Sequence, residues 1–125
     1  MQLVLEPLNA VVNHPGYFLT STSEGFDMVE EVDSPAVRLL YDLYHSVMTG
    51  EQPAQVLASR GHLIGHVHLA DAPGRHEPGA GDINFPACLR VIAEAGYSGP
   101  IGLEFRPSGQ TDAAITAARL RIEVP

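Results

Sequence analysis

The sequence predicts an α/β fold in which four parallel β-strands alternate with helices. Short apolar runs typical of strands recur four times, helical segments with capping signals separate them, and no hairpin turn joins two consecutive strands. Repeated units of this kind are typical of a (β/α) barrel, whose eight units need roughly 250 residues. With 125 residues, the chain is predicted to form a single domain that corresponds to half of such a barrel.

Each predicted strand ends at a residue that can bind a proton or a metal ion. The strands cover residues 2–5, 37–41, 63–69 and 101–103. Glu6, Asp42 and Glu104 directly follow the first, second and fourth strands, and His68 lies near the end of the third. Because all strands of a (β/α) barrel run in the same direction, these four side chains are expected to meet on one rim.

The helices are predicted from their capping residues and their apolar periodicity. Ser21 followed by Glu24 is a capping-box pattern, and Asn84 before a proline in the first turn marks another helix start. The predicted helical segments begin near residues 21, 43, 53, 85 and 111 and end near residues 33, 48, 59, 95 and 122. The buried stripe of the first helix is predicted to consist of Phe26, Val29 and Val32.

The charged residues exclude several classes of protein. The formal charge of −8 at pH 7 argues against a nucleic-acid-binding protein, which needs clustered cations to neutralise phosphates. All seven basic residues are arginine. Without a lysine amine, the chain alone cannot be a Schiff-base aldolase or a pyridoxal-phosphate enzyme. The expected partner is therefore a small-molecule substrate.

The sequence shows no signal for a membrane or for secretion. No apolar run approaches the ~18 residues of a transmembrane helix, and Glu6 comes too early for the apolar region of a signal peptide. The single cysteine cannot form an internal disulfide. A reducing, cytoplasmic location is therefore expected.

Three carboxylates and one imidazole on one rim are expected to bind a divalent cation. Like charges brought together out of water repel one another, and a cation removes this penalty. Oxygen ligands with one imidazole suit Mg²⁺ or Mn²⁺ best, with Co²⁺ or Zn²⁺ tolerated. An Asp or Glu at the end of one strand is usually a solvated residue or a helix cap. Such residues at all four strand ends favour the metal site.

Four segments resemble the hydroxypyruvate isomerase family, which belongs to the xylose isomerase-like TIM barrels together with the ketose 3-epimerases and the endonuclease IV nucleases. The segments are residues 5–9 (LEPLN), 41–45 (YDLYH), 65–79 (GHVHLADAPGRHEPG) and 102–107 (GLEFRP). The resemblance covers essentially the whole chain and corresponds to the second half of a family barrel. Residues 73–79 are its most specific part.

The resemblance implies roles for six residues and a reaction. Its metal ligands are Glu6, Asp42, His68 and Glu104, and its catalytic acid–base pair is Glu6 and Glu104. It makes His45 and Arg75 the residues that bind substrate oxygens, and Glu77 is a further substrate-binding candidate because its loop lies at the same rim. The implied reaction converts hydroxypyruvate into tartronate semialdehyde by moving a proton between adjacent carbons through an enediolate. Arg75, permanently charged and bidentate, is suited to the substrate carboxylate.

The histidines leave two questions open. Hydroxypyruvate isomerases often carry glutamine where His68 stands, whereas the epimerases carry histidine, so the resemblance also allows a ketose 3-epimerase. His66 is expected to alternate with His68 across the two faces of the strand, so that only one faces the site, and we favour His68. His14 and His62 lie in loop-like segments and are interpreted as solvated.

Half of a barrel is incomplete by itself. Four strands leave two open sheet edges and an uncovered sheet face that is expected to be apolar. The chain is therefore expected to form a homo-oligomer or to need the missing first half of a barrel. A catalytically silent fragment or assembly module is the alternative from a different class. An endonuclease IV-like activity fits poorly, because those enzymes hold three metal ions and bind DNA.

Overall fold

The computed structural model describes residues 1–122, and it confirms the predicted alternation of strands and helices. The strands are β1 (Leu3–Leu5), β2 (Val37–Asp42), β3 (Ile64–Leu69) and β4 (Ile101–Leu103). The helices are α1 (Thr22–Val32), α2 (Leu43–Met48), α3 (Pro53–Leu57), α4 (Phe85–Glu94) and α5 (Thr111–Ile122). No helix within these residues is long and apolar enough to cross a membrane.

The four strands form one parallel sheet in the order β1-β2-β3-β4. Neighbours in the sheet are therefore neighbours in sequence, and at least one helix joins each strand to the next. Between β2 and β3 the pairing shifts by one residue, since Leu39 pairs with Ile64 and Leu40 pairs with His66. All C-terminal strand ends consequently lie along one edge, as in a partial (β/α) barrel.

One face of the sheet carries the hydrophobic core. Leu39, Tyr41, Val67 and Leu69 are almost fully buried on this face. The helices complete the core with Phe26, Val29, Leu57, Phe85 and Ile92. The apolar faces of α1 and α4 are thus buried as predicted, except that Val32 at the end of α1 is exposed.

Side-chain caps mark the starts of α1 and α4. Ser21 Oγ accepts a hydrogen bond from Glu24 N at 3.3 Å, and Asn84 Oδ1 accepts one from Ala87 N at 3.2 Å. Each bond satisfies a backbone N–H that has no partner inside its helix. Both capping residues predicted from the sequence are confirmed.

The opposite face of the sheet is more polar than expected. Alternation along the strands places Arg38, Leu40 and His66 on this side, opposite the core residues. A methyl group on Gly65 would lie 2.8 Å from Arg38 Cβ and 3.0 Å from Gln2 Oε1, so these side chains share the same face. The expectation of an apolar inner face is therefore wrong at Arg38 and His66, whereas Leu40 is apolar as expected.

The exposed apolar side chains of the sheet lie at its two edges instead. Leu3 of β1 is 57% exposed and lines a groove of about 760 Å³ together with Val32. Ile101 of β4 is 42% exposed and lines a second groove of about 370 Å³ with Tyr97 and Ile122. Each edge strand also has one side without a partner strand among residues 1–122. Each edge therefore offers a place for a further β/α unit.

We expect the chain to associate through these edges, because they retain unpaired strand backbone beside exposed apolar side chains. Leu3→Glu should weaken association by about tenfold or more, since a buried leucine contributes about 1.5–3 kcal/mol. Leu120→Glu on α5 is the control, because Leu120 is 71% exposed but lines neither edge groove. Sedimentation equilibrium measures both variants. A cooperatively melting monomer at micromolar concentration would contradict the prediction.

Candidate metal centre

The four predicted ligands meet at the C-terminal edge of the sheet. Glu6, Asp42, His68 and Glu104 each offer one ligand atom, and these atoms all lie within 4.8 Å of one another. Asp42 and His68 are direct partners in the register of β2 and β3. Parallel pairing thus brings together four residues that are far apart in the sequence.

Three of these residues also have a buried polar atom that lacks a hydrogen-bond partner within residues 1–122. The atoms are Glu6 Oε1, Asp42 Oδ2 and His68 Nδ1. An unpaired buried polar group costs about 1–3 kcal/mol, and more when it is charged. A divalent cation would give all three atoms a partner, so the residues present fit a metal ion. Three carboxylates and one imidazole suit Mg²⁺ or Mn²⁺.

Asp42 divides its two carboxylate oxygens between the fold and the cluster. It is the last residue of β2 and also the N-cap of α2, where Oδ1 accepts a hydrogen bond from His45 N at 3.1 Å. The other oxygen, Oδ2, lies 3.8 Å from Arg75 Nη2. The helix-cap role and the ligand role are therefore compatible, because each uses a different oxygen.

Burial and mutual repulsion disfavour the charged forms of these carboxylates. Burial, followed by the charges of Asp42 and Glu104, raises the pKa of Glu6 to about 7. Burial also raises the pKa of Asp42 to about 6, although the His45 N–H hydrogen bond and Arg75 act in the opposite direction. Without a cation, the cluster therefore tends to retain protons near neutral pH.

Arg75 places a permanent positive charge beside the cluster. Its Nη2 lies 2.6 Å from Glu104 Oε2, and its guanidinium carbon lies 5.3 Å from the centre of the Tyr44 ring. A guanidinium carries five N–H donors, so one contact with Glu104 leaves donors for a bound anion. The predicted substrate-binding position of Arg75 is thus next to the metal ligands.

Asp71 organises the loop that carries Arg75, and the sequence analysis assigned it no role. Its side chain is fully buried. Oδ1 accepts hydrogen bonds from Ala72 N at 2.9 Å and Ile83 N at 3.0 Å. Oδ2 accepts bonds from Gly79 N at 2.7 Å and Gly81 N at 2.9 Å. One carboxylate thus closes the whole loop from residue 71 to residue 83.

The Arg75 loop is also tied to the loop that follows β4. Arg106 N donates a hydrogen bond to Arg75 O at 2.8 Å. Glu77 accepts hydrogen bonds from Ser108 N at 2.9 Å and from Ser108 Oγ, and it uses both carboxylate oxygens to do so. The structure therefore places Glu77 between two loops, and it brings Glu77 into no contact with the four ligands among the described residues. Its substrate-binding role stays a prediction.

His45 lies directly behind Asp42 and is almost completely buried. Burial, with Arg75, His14 and His68 nearby, lowers the pKa of His45 to about 4. The imidazole is therefore neutral at physiological pH. Its Nε2 atom is buried without a hydrogen-bond partner in the described part of the chain. The effects of Arg75 and His68 on its pKa place the imidazole near the cluster.

Two further histidines differ from the sequence interpretation. The rings of His66 and His68 lie 4.8 Å apart at right angles, on the same face of β3. The expected alternation was wrong, since alternate residues of a strand share a face. Gly102 makes room for both rings, because a methyl group there would lie 2.8 Å from His66 Nε2. His14 is half-buried, and its ring centre lies 5.5 Å from that of His45.

Comparison with known proteins identifies the class to which this fold and cluster belong. The family model of the xylose isomerase-like TIM barrel matches residues 1–122. The chain belongs to this family. The resemblance noted in the sequence and the predicted partial barrel are both confirmed.

Curated relatives within this family are isomerases by name. Hydroxypyruvate isomerase of Escherichia coli K12 is 32% identical over 113 residues, which cover 90% of this chain and 43% of that protein. The 2-oxo-tetronate isomerase of Cupriavidus necator is 34% identical over 113 residues, with the same two coverages of 90% and 43%. The chain therefore spans less than half the length of these curated relatives.

Solved structures show the same fold in larger proteins. A protein from Brucella melitensis described as an AP endonuclease of family 2 matches with a TM-score of 0.86 and 32% identity, over 96% of this chain and 46% of that one. The 3-keto-D-glucoside 4-epimerase of Escherichia coli matches with a TM-score of 0.79 and 27% identity, over 95% of this chain and 46% of that one. Both neighbours are about twice as long as this chain.

We expect the stability of the metal-free chain to decrease as the pH rises, and we expect a bound cation to counteract this decrease. Because Glu6 and Asp42 have raised pKa values of about 7 and about 6 in the fold, their favourable contribution is complete below their unfolded values. It is lost as pH rises through the folded values. In the presence of a chelator, the melting temperature of the chain should therefore decrease as the pH is raised from 5 to 8, because these two carboxyl groups lose their protons.

Added Mn²⁺ should counteract this loss, since it binds the deprotonated carboxylates. At a concentration of about 100 times Kd it should add about 2.7 kcal/mol, and more at pH 8 than at pH 5. Asp42→Asn should remove most of the effect. Asp27→Asn on the exposed side of α1, where Asp27 pairs with Arg60, should retain it. Equal Mn²⁺ stabilisation of wild type and Asp42→Asn in differential scanning calorimetry would contradict the site.

Asp71→Asn should destabilise the chain, because the new amide group faces two backbone N–H donors instead of accepting from them. Each donor left unpaired costs about 1–3 kcal/mol. Asp82→Asn in the same loop is the matched control, because Asp82 is exposed and its carboxylate makes no hydrogen bond among the described residues. Urea denaturation measures both variants. Equal unfolding midpoints would contradict the organising role of Asp71.

Proposed function

We propose that the chain is the metal-binding half of an isomerase that converts hydroxypyruvate into tartronate semialdehyde. The observation that carries this proposal is the cluster of four ligand atoms within 4.8 Å of one another, with Arg75 Nη2 at 2.6 Å from Glu104. Similarity to relatives named hydroxypyruvate isomerase supports the choice of substrate. The proposed cofactor is Mg²⁺ or Mn²⁺.

Glu6 and Glu104 are the proposed acid–base pair. They follow β1 and β4, the outermost strands of the sheet, and so approach the cluster from opposite sides. One carboxylate takes a proton from the hydroxymethyl carbon, and the other carboxylic acid delivers a proton to the neighbouring carbonyl carbon. In the enediolate between these two steps, the hydroxyl proton passes to the former carbonyl oxygen, so that the first carbon becomes the aldehyde and the second carries the hydroxyl group. The pKa of Glu6, about 7, suits a group that gains and loses a proton near neutral pH. A divalent cation, when bound, would stabilise negative charge on the enediolate oxygens.

Arg75 indicates a short, anionic substrate. Its guanidinium contacts Glu104 and also lies 3.8 Å from Asp42 Oδ2. A carboxylate bound to Arg75 would therefore sit beside the reacting carbons, as in a three-carbon keto acid. Asp71 and the paired loops hold Arg75 in this position. This arrangement favours a small hydroxy-carbonyl acid.

A sugar epimerase of the same family is the second candidate, and His68 favours it. The resemblance associates histidine at this position with ketose 3-epimerases, and a solved epimerase shares the fold at 27% identity. Isomerase and epimerase would use the same cluster and would both begin by removing a proton from carbon, but the isomerase returns a proton to the adjacent carbon and the epimerase to the opposite face of the same carbon. The substrate therefore separates them. An endonuclease activity is not proposed, because a chain of charge −8 has little to attract DNA.

We also propose that activity requires further β/α units at the open edges of the sheet. The cluster is complete within this chain, but Leu3 and Ile101 leave apolar grooves at both edges. A second copy of the chain or a separate half-barrel would cover them. A chain that binds metal but turns over no substrate in any assembly would be a silent module.

Turnover of hydroxypyruvate in D₂O tests the proposed reaction. The Mn²⁺-loaded chain, in an assembly that covers its open edges, should produce tartronate semialdehyde with deuterium on the carbon that receives the proton, measured by NMR. Glu6→Gln should lower kcat by about 10²–10⁴-fold, as expected for loss of a general acid or base. Glu24→Gln, on the exposed surface of α1, should leave kcat unchanged.

The product's hydrogen content decides the mechanism. Retention of all substrate hydrogen would indicate a hydride shift and would overturn the acid–base pair. Turnover of ketoses such as D-tagatose, with no turnover of hydroxypyruvate, would instead identify the epimerase.

A further inference from the structure

Asn9 is a fully buried residue in the loop after β1, and its side-chain amide has a single consistent orientation. Its Oδ1 accepts hydrogen bonds from Val12 N at 3.1 Å and Asn13 N at 3.3 Å. Backbone N–H groups can only donate, so this end of the amide must be the oxygen. The Nδ2 group therefore points the other way, toward Asn13 Oδ1 at 3.0 Å and His45 Nδ1 at 2.7 Å.

The same orientation determines where His45 carries its proton. The backbone N–H of Asn9 also donates to His45 Nδ1, at 3.1 Å. Two donors directed at Nδ1 require that this nitrogen present its lone pair and carry no hydrogen. In a neutral imidazole the proton must then be on Nε2. This nitrogen is the buried atom without a partner within residues 1–122.

We propose that Asn9 is a positioning residue that fixes His45 as a hydrogen-bond donor, with its Nε2–H directed at an acceptor oxygen of the substrate. The tautomer follows from this chain's own contacts, and the acceptor's identity as a substrate oxygen rests on the proposed function. The preferred ligand therefore carries a carbonyl, carboxylate or hydroxyl oxygen beside the metal ligands. A substrate group that can only donate would leave the buried Nε2–H unpaired.

The fixed tautomer also explains why His45 is not part of the metal centre. A metal binds an unprotonated imidazole nitrogen, and neither nitrogen of His45 is free to do so. Nδ1 is occupied by Asn9, and Nε2 carries the hydrogen. His68 differs, because its buried Nδ1 has no hydrogen-bond partner within the described residues. Asn9 thus separates the role of His45 from the role of His68.

Nuclear magnetic resonance tests the tautomer directly, without substrate or turnover. Long-range ¹H–¹⁵N correlation of the uniformly labelled chain distinguishes a protonated from an unprotonated imidazole nitrogen. The chain has six histidines, and His45→Gln assigns the His45 signals by removing them. We expect Nδ1 to be unprotonated and Nε2 protonated in the wild type. A proton on Nδ1, alone or together with Nε2, would overturn the proposal.

Two charge-matched variants test whether Asn9 is responsible. Asn9→Asp places an acceptor 2.7 Å from His45 Nδ1 in place of the Nδ2 donor, and it should move a proton to Nδ1. Asn13→Asp introduces the same charge nearby but keeps the oxygen that accepts from Asn9 and from Tyr44 OH at 2.8 Å. It should leave the His45 tautomer unchanged. An unchanged tautomer in folded Asn9→Asp would overturn the role of Asn9.

If Asn9→Asp fails to fold, the wild-type spectrum still decides the tautomer. The Asn13→Asp spectrum then shows whether a nearby charge alone changes it, which would contradict a specific role of Asn9. Absence of isomerase activity in every assembly of the chain, together with the expected tautomer, would reject the proposed function and leave the Asn9–His45 assignment intact. The two claims therefore fail separately.

Discussion

The repulsion among three carboxylates at one end of a parallel sheet is the constraint on which the site depends. Parallel pairing of the strands places Glu6, Asp42 and Glu104 around His68. Burial raises the pKa of Glu6 and of Asp42, so protons or a cation at this position would stabilise the fold. The same electrostatic cost that works against folding favours the binding of a cation at this rim.

Hydrogen bonds around the cluster leave several of its polar atoms without a protein partner among the described residues, so that these atoms can contact a ligand. Asp42 uses one oxygen as a helix cap, and the Asp71 carboxylate shapes the loop that presents Arg75. Asn9 donates to Nδ1 of His45, and Nε2 of the same ring has no hydrogen-bond partner within residues 1–122. In each case a buried hydrogen bond to the protein fixes the position or the protonation of a side chain, and that side chain then presents a defined atom to the cluster. Preorganisation of this kind is what catalysis requires of residues around a reacting centre.

The sequence predicted the strand ends well, because strand length, apolar content and the following polar residue are all local signals. It therefore located Glu6, Asp42, His68 and Glu104. The role of Asp71 was not predictable in this way, since its four hydrogen bonds exist only after residues 79–83 fold back onto it. The Asn9–His45 contact joins residues 36 positions apart for the same reason. The exposure of Val32 was not predictable either, because helical periodicity does not show where along α1 the packing against the core ends.

The central claim is that one divalent cation binds to the four residues at the strand ends. Anomalous X-ray diffraction from crystals of the chain soaked with Mn²⁺ tests it most directly. We expect one anomalous peak per chain, within coordination distance of Glu6, Asp42, His68 and Glu104. A manganese peak elsewhere, with these four side chains uncoordinated, would contradict it.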